Sequence, residues 1–113
     1  MKNDMDLLRD MLRYAEEAVS MAENRTEEDL LLDKAFNYAI QHCYTIIGEA
    51  ASLVSEPTKQ RFPTIPWHEI VGMRNWIVHR YQRVNPKMLW STTQNDLPKL
   101  IKEILDYLPP EQT

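Results

Sequence analysis

Three residues close together in the chain carry groups suited to work on a phosphodiester: Arg74, Asn75 and His79. An imidazole takes and gives protons near neutral pH, and a guanidinium binds a phosphate and steadies the charge that develops on it. Together they suit cleavage of RNA without a metal. The 2′-hydroxyl of RNA is an internal nucleophile, so a base, an acid and a phosphate clamp suffice, and its proximity supplies much of the rate. DNA lacks that hydroxyl. An arginine five residues before a histidine arises by chance in roughly one chain of this size in ten. The pattern alone is equally met by a surface histidine and an arginine in a structural ion pair, with Glu49 as a partner.

The elements that must position these groups set a condition. Five residues along a helix is about 140° of rotation and roughly 7.5 Å of rise, so Arg74 and His79 of one chain do not share a face. In a homodimer with two-fold symmetry, two copies of each would line one cleft. Asn75, four residues before His79, lies on the histidine's face and can orient the ring or meet the substrate. A helix over 67–81 begins after Pro66, which suits a first turn. Its apolar face comprises Trp67, Ile70, Val71, Met73, Ile77 and Val78, and Arg74 falls in the middle of it. An unpaired buried guanidinium is too costly, so Arg74 must be paired, sit at a subunit interface, or lie where the helix ends or bends.

Other helices follow from periodicity. Residues 4–23 carry apolar side chains at three- and four-residue spacings with acids between them. Thr26 with Glu27, Glu28 and Asp29 reads as a capped start of a second helix, unbroken until Pro57 except near Asp33. Its apolar residues, from Ala35 and Phe36 through Cys43 to Leu53 and Val54, span an arc of about 160°, which makes it the central helix. Cys43 lies inside that arc as a small buried hydrophobe. Pro57, Pro63 and Pro66 make a stiff connection with at most one helical turn. Asn85-Pro86 caps and opens a final helix, which Pro98 should kink or split, with Asp96 as a second cap. The expected architecture is a single all-α domain over 1–113, an up-and-down bundle of four to five helices.

Composition agrees. The chain has 113 residues, 43% hydrophobic and 27% charged, an ordinary globular balance that excludes disorder and fibrous classes. Two glycines argue against the turns that barrels and sandwiches need. The single Cys43 excludes disulfide and zinc scaffolds, and the absence of a long apolar run or signal-like N-terminus predicts no membrane segment and a cytoplasmic address. The net charge of −4 is unevenly spread. Between Lys59 and Lys87 six basic residues face one acid, a net of +5, whereas the rest of the chain has seven basic and sixteen acidic residues, a net of −9. Arg80, Arg83 and Lys87 are therefore candidates for positioning an RNA backbone.

Three runs, IIGEAA (46–51), FPTIPWHEIVGMRNWIVHRY (62–81) and VNPKMLWSTTQNDLP (84–98), resemble the HepT-like branch of the HEPN superfamily. These are small all-helical toxin ribonucleases paired with a nucleotidyltransferase antitoxin of the MntA type. The resemblance covers nearly all of the chain beyond residue 30. It implies a metal-independent endoribonuclease that needs no cofactor and works as a homodimer, with Arg74 and His79 as the family's Arg-x-x-x-x-His motif and Asn75 completing it. It also implies that Tyr81 accepts AMP from the antitoxin, a bulky anion beside the catalytic groups that would block them. Arg80 stands where many relatives have glycine, and Asn85 replaces the more usual aspartate. His42 stands where many carry a basic residue on the central helix. His42 and His68 are read as ordinary polar-face residues.

Two other classes remain at this point. Related HEPN proteins serve as non-catalytic nucleotide- or substrate-binding subunits beside nucleotidyltransferases. The intact set of Arg74, Asn75, His79 and Tyr81 favours the nuclease. A purely structural dimerisation bundle would leave Arg74 on an apolar face unexplained.

Overall fold

The computed structural model describes residues 2–80 and 83–108. All regular structure within them is helical, in the order α1 (Asp4–Ala22), α2 (Asp29–Leu32), α3 (Lys34–Leu53), α4 (Glu56–Arg61), α5 (Trp67–Arg80), α6 (Pro86–Ser91), a π-helical turn (Thr92–Asp96) and α7 (Leu97–Tyr107). Four long helical stretches form the bundle, because α6, the π turn and α7 run on without a break.

Each start has a local cause. Asn3 caps α1 by accepting from the Asp6 backbone N–H at 2.9 Å, while the Asp6 carboxylate accepts from Asn3 in return. Asp33 caps α3 by accepting from Phe36 N–H, and its other oxygen accepts from Arg25 at 3.2 Å. That cap is what separates α2 from α3, at the break expected near Asp33. Asn85 caps α6 through Lys87 and Met88, with Pro86 at the first position. The Thr26 hydroxyl caps nothing. Asp29 instead folds back to accept from the Thr26 N–H, so the acid that was to follow a capped start makes the turn itself.

Helix α3 is central and packs against both α1 and α5, and α7 packs against α1. Leu8, Met11, Ile40, Ile47, Leu89 and Ile104 are fully enclosed. Cys43 is buried as expected, and burial, with a smaller contribution from Glu17, pushes its thiol up to about 11, so it stays protonated near neutral pH. Several positions differ from the periodic reading of α3: Ala35 in its first turn is exposed, and Gln41 and Gly48 are buried outside the apolar arc. Leu53 is exposed because the helix ends there, and Tyr44 is buried although it lies outside the apolar arc. Its hydroxyl explains this. Thr93 spends its own proton on the Leu89 carbonyl at 2.8 Å, so the Tyr44 hydroxyl donates to Thr93 Oγ1 at 2.7 Å and satisfies a buried polar pair.

Pro98 does not split the last helix, and Asp96 caps nothing. The π turn takes up one extra residue, and Leu97 N–H reaches Thr92 C=O. This moves the carbonyl that a proline ring would otherwise strike, and with no new helix start there is nothing for Asp96 to cap.

Two carboxylates tie elements together at their ends. Asp4 accepts from the Ser55 and Thr58 hydroxyls and from Ser55 N–H, joining the start of α1 to the start of α4. The Ser55 hydroxyl, then the Thr58 hydroxyl and the Ser55 amide, hold Asp4 below its ordinary pKa of 3.8. The Phe36 amide, then Arg25, do the same for Asp33. Groups depressed in the folded state contribute stability that is fully present above their unfolded pKa and lost as pH falls through the folded one. The melting temperature is therefore expected to be level from about pH 7 to about pH 5 and to drop below about pH 4. Asp4→Asn and Asp33→Asn should each lower it near neutrality and shrink that acid drop, checked by thermal melts across pH.

Candidate active site

Helix α5 carries the candidate residues, and its approach to α3 is governed by Gly48. A Cβ built on Gly48 would stand 2.1 Å from Arg74 Cβ, 2.7 Å from its Cγ and 3.2 Å from the Ile70 carbonyl oxygen. Only a residue without a side chain lets α5 lie this close. The Arg74 stem therefore rests on the α3 backbone, and its guanidinium emerges at the rim. There Nη1 donates to Asn75 Oδ1 at 2.8 Å and Nη2 to Glu49 Oε1 at 3.3 Å. The side chain is 30% exposed, so Arg74 is neither buried nor free.

This resolves the oddity of an arginine on an apolar face. The stem does the apolar packing and the head is paired outside. The ion pair to Glu49, itself 48% exposed, is worth only about 0.2–1 kcal/mol after solvent screening. Arg74 Nε is buried with no hydrogen-bond partner among the described residues. A buried donor left unpaired carries a desolvation cost.

His79 lies in the last turn of α5 and is exposed, as are Asn75 and Arg80. Within one chain no hydrogen bond joins Arg74 to His79, as expected for groups 140° apart on a helix. Arg83, in the connection, and Lys87, in the first turn of α6, are exposed too. Tyr81 lies outside the described residues. His42 and His68 are exposed as expected, and the His42 ring stands edge-on to Tyr14 at 6.2 Å between centroids.

The apolar face of α5 is only partly covered. Ile77 is buried, Trp67, Ile70, Val71 and Met73 are half-buried, and Val78 is 43% exposed. The role of Gly48 was not read from sequence. Its signal was there, because one of only two glycines in the chain sits inside a strong helix, where glycine is otherwise unfavourable.

The model of the ribonuclease HepT-like family matches residues 11–106. The chain belongs to that family. The matched span contains α3, α5 and every candidate residue on them. A Thermococcus cleftensis protein named "Probable ribonuclease HepT" is 35% identical over 96 residues, which cover 81% of this chain and 87% of that one. A candidate RNase of Methanocaldococcus jannaschii is 31% identical over 96 residues, 85% of this chain and 79% of its own. Another from Caldanaerobacter subterraneus subsp. tengcongensis is 29% identical over 112 residues, 99% of this chain and the whole of its own. No solved structure matches significantly. At family level, then, this HepT-like protein is an endoribonuclease. Among its described residues no helix is long and apolar enough to cross a membrane.

Gly48→Ala should force α5 away from α3, costing about 1–3 kcal/mol by overpacking and displacing Arg74 with it. Gly72, where an added Cβ meets nothing within 4 Å, is the control, and Gly72→Ala should be neutral or stabilising. Denaturant unfolding of the two variants beside the parent checks both.

Proposed function

We propose that this HepT-like protein is the toxin of a toxin-antitoxin pair and cleaves RNA without a metal, through Arg74, Asn75 and His79 of two chains facing one cleft. The observation that carries this is the Arg74 guanidinium, packed through its stem onto Gly48 and held at the rim by Asn75 and Glu49, five residues before an exposed His79. A cation fixed by packing rather than by burial can meet a phosphate with little reorganisation.

In this mechanism the imidazole of His79 takes the proton of the 2′-hydroxyl, and O2′ attacks the adjacent phosphorus. Arg74 balances the charge on the pentacoordinate phosphate. The P–O5′ bond breaks as the imidazolium of the second copy's His79 delivers a proton to O5′. The products are a 2′,3′-cyclic phosphate and a 5′-hydroxyl. The partly covered apolar face of α5 supports the homodimer, since a second copy would cover it. Arg80, Arg83 and Lys87 position the RNA backbone. An MntA-like nucleotidyltransferase silences the toxin by AMPylation. The Tyr81 hydroxyl attacks the α-phosphorus of ATP, pyrophosphate leaves, and the AMP anion occupies the place of the RNA phosphate.

Total RNA incubated in EDTA with the purified wild type should be cut to ends carrying 2′,3′-cyclic phosphate, and His79→Ala should lose at least about 100-fold in rate. Retained activity in His79→Ala, or wild-type activity abolished by EDTA, would overturn the mechanism. No cleavage by either from a dimer confirmed by light scattering would favour a non-catalytic nucleotide-binding subunit. With the partner enzyme and ATP, the wild type should gain the mass of one or more AMP units and Tyr81→Phe none. Mass spectrometry decides this, and modification persisting in the phenylalanine variant would put the acceptor elsewhere.

A further inference from the structure

A cleft of about 530 Å³ opens where α2 and the first half of α3 face the connection into α6. Its chemistry differs from that of the acidic body around it. Lys34 and Arg83 line it, and among the described residues no carboxylate does. One wall is polar and internally hydrogen-bonded: Asn37 Nδ2 donates to the Leu30 carbonyl at 2.8 Å, and Gln41, only 5% exposed, donates through Nε2 to Asn37 Oδ1. Asn37 thus has one amide N–H and one lone pair beyond those bonds. On the opposite side the Asn85 Oδ1 is committed to capping α6, so what it offers a ligand is its Nδ2 donors. Tyr38 adds a 47% exposed ring. Arg83 is four residues beyond His79, a Cα separation of at most about 14 Å.

We propose that this cleft is a base-reading subsite for one unpaired nucleotide of the RNA, next to the bond that His79 cleaves. Unpaired bases are recognised by stacking on aromatic rings and guanidinium planes and by hydrogen bonds from amides to their edges. Tyr38 and Arg83 supply the planar surfaces, Asn37 and Asn85 the amides, and Lys34 with Arg83 the positive charge for the flanking phosphates. The proposal rests on the nuclease reading for its place beside the scissile bond, but nucleotide binding in the cleft stands apart from cleavage.

The test pairs a binding readout with a cleavage readout on the full-length protein. Isotope-labelled wild type is titrated in EDTA with each of the four nucleoside 3′-monophosphates, following the side-chain amides of Asn37 and Asn85 by NMR. In parallel the ends of cleaved RNA are sequenced for wild type, Tyr38→Ala and Lys34→Gln, with folding of each confirmed by its melting curve. The cleft amides should shift, more for one base than for the others. Both variants should weaken mononucleotide binding about tenfold, the loss of roughly one stacking or charge contact. They should raise KM by a similar factor with kcat held within about twofold, and flatten the base preference beside the cut. Amides that stay still up to about 10 mM nucleotide, together with unchanged KM and base preference in both variants, would overturn the subsite. Shifts in the cleft without any cleavage by the wild type would uphold it and sink the nuclease reading instead.

Discussion

Everything about the candidate site depends on how closely α5 lies on α3, and that distance is set by the missing side chain of Gly48. Helix pairs normally stand 8–10 Å apart because side chains keep them there. Here the Arg74 stem takes the space a side chain would fill, so its three-carbon aliphatic stem becomes part of the interhelical packing. The consequence is a guanidinium whose position is inherited from the core. Its partners at the rim, Asn75 and Glu49, then need only orient it, which suits the small energy that such exposed pairs provide.

The charge pattern follows the same division of labour. The acidic body carries helix caps and end-ties, such as Asp4 on Ser55 and Thr58 and Asp33 on Phe36 and Arg25. Positive charge collects at the end of α5 and the start of α6, where α2 and α3 leave an open cleft. A protein with a net charge of −4 can therefore still present a local surface fit for a polyanion.

Much of this was legible in the sequence, where local physics decides. The cap at Asn85, the break near Asp33, the span of α1 and the burial of Cys43 all follow from neighbours within a few residues. What was not legible lies across the fold. Glu49 stood as one partner open to Arg74, but the two are 25 residues apart and no periodicity decides that they meet. Tyr44 is buried because a hydroxyl 49 residues away receives its proton. Of the kink or split expected at Pro98, the split did not occur, because the rule that proline breaks a helix assumes an unaltered α ladder and the chain instead widened one turn. Arg74 and His79 lie about 140° apart on one helix, so bringing both to one cleft would take a second chain.

That widened turn also keeps the last helix in phase. The buried residues Leu89, Thr93, Leu97, Leu100 and Ile104 recur at spacings of four, four, three and four, so one buried face continues through 92–96. The rod lies beside α2 up to Ser91 and against α1 beyond Asp96. The turn at 92–96 thus admits a proline ring without breaking that face, and a single continuous rod serves two neighbours.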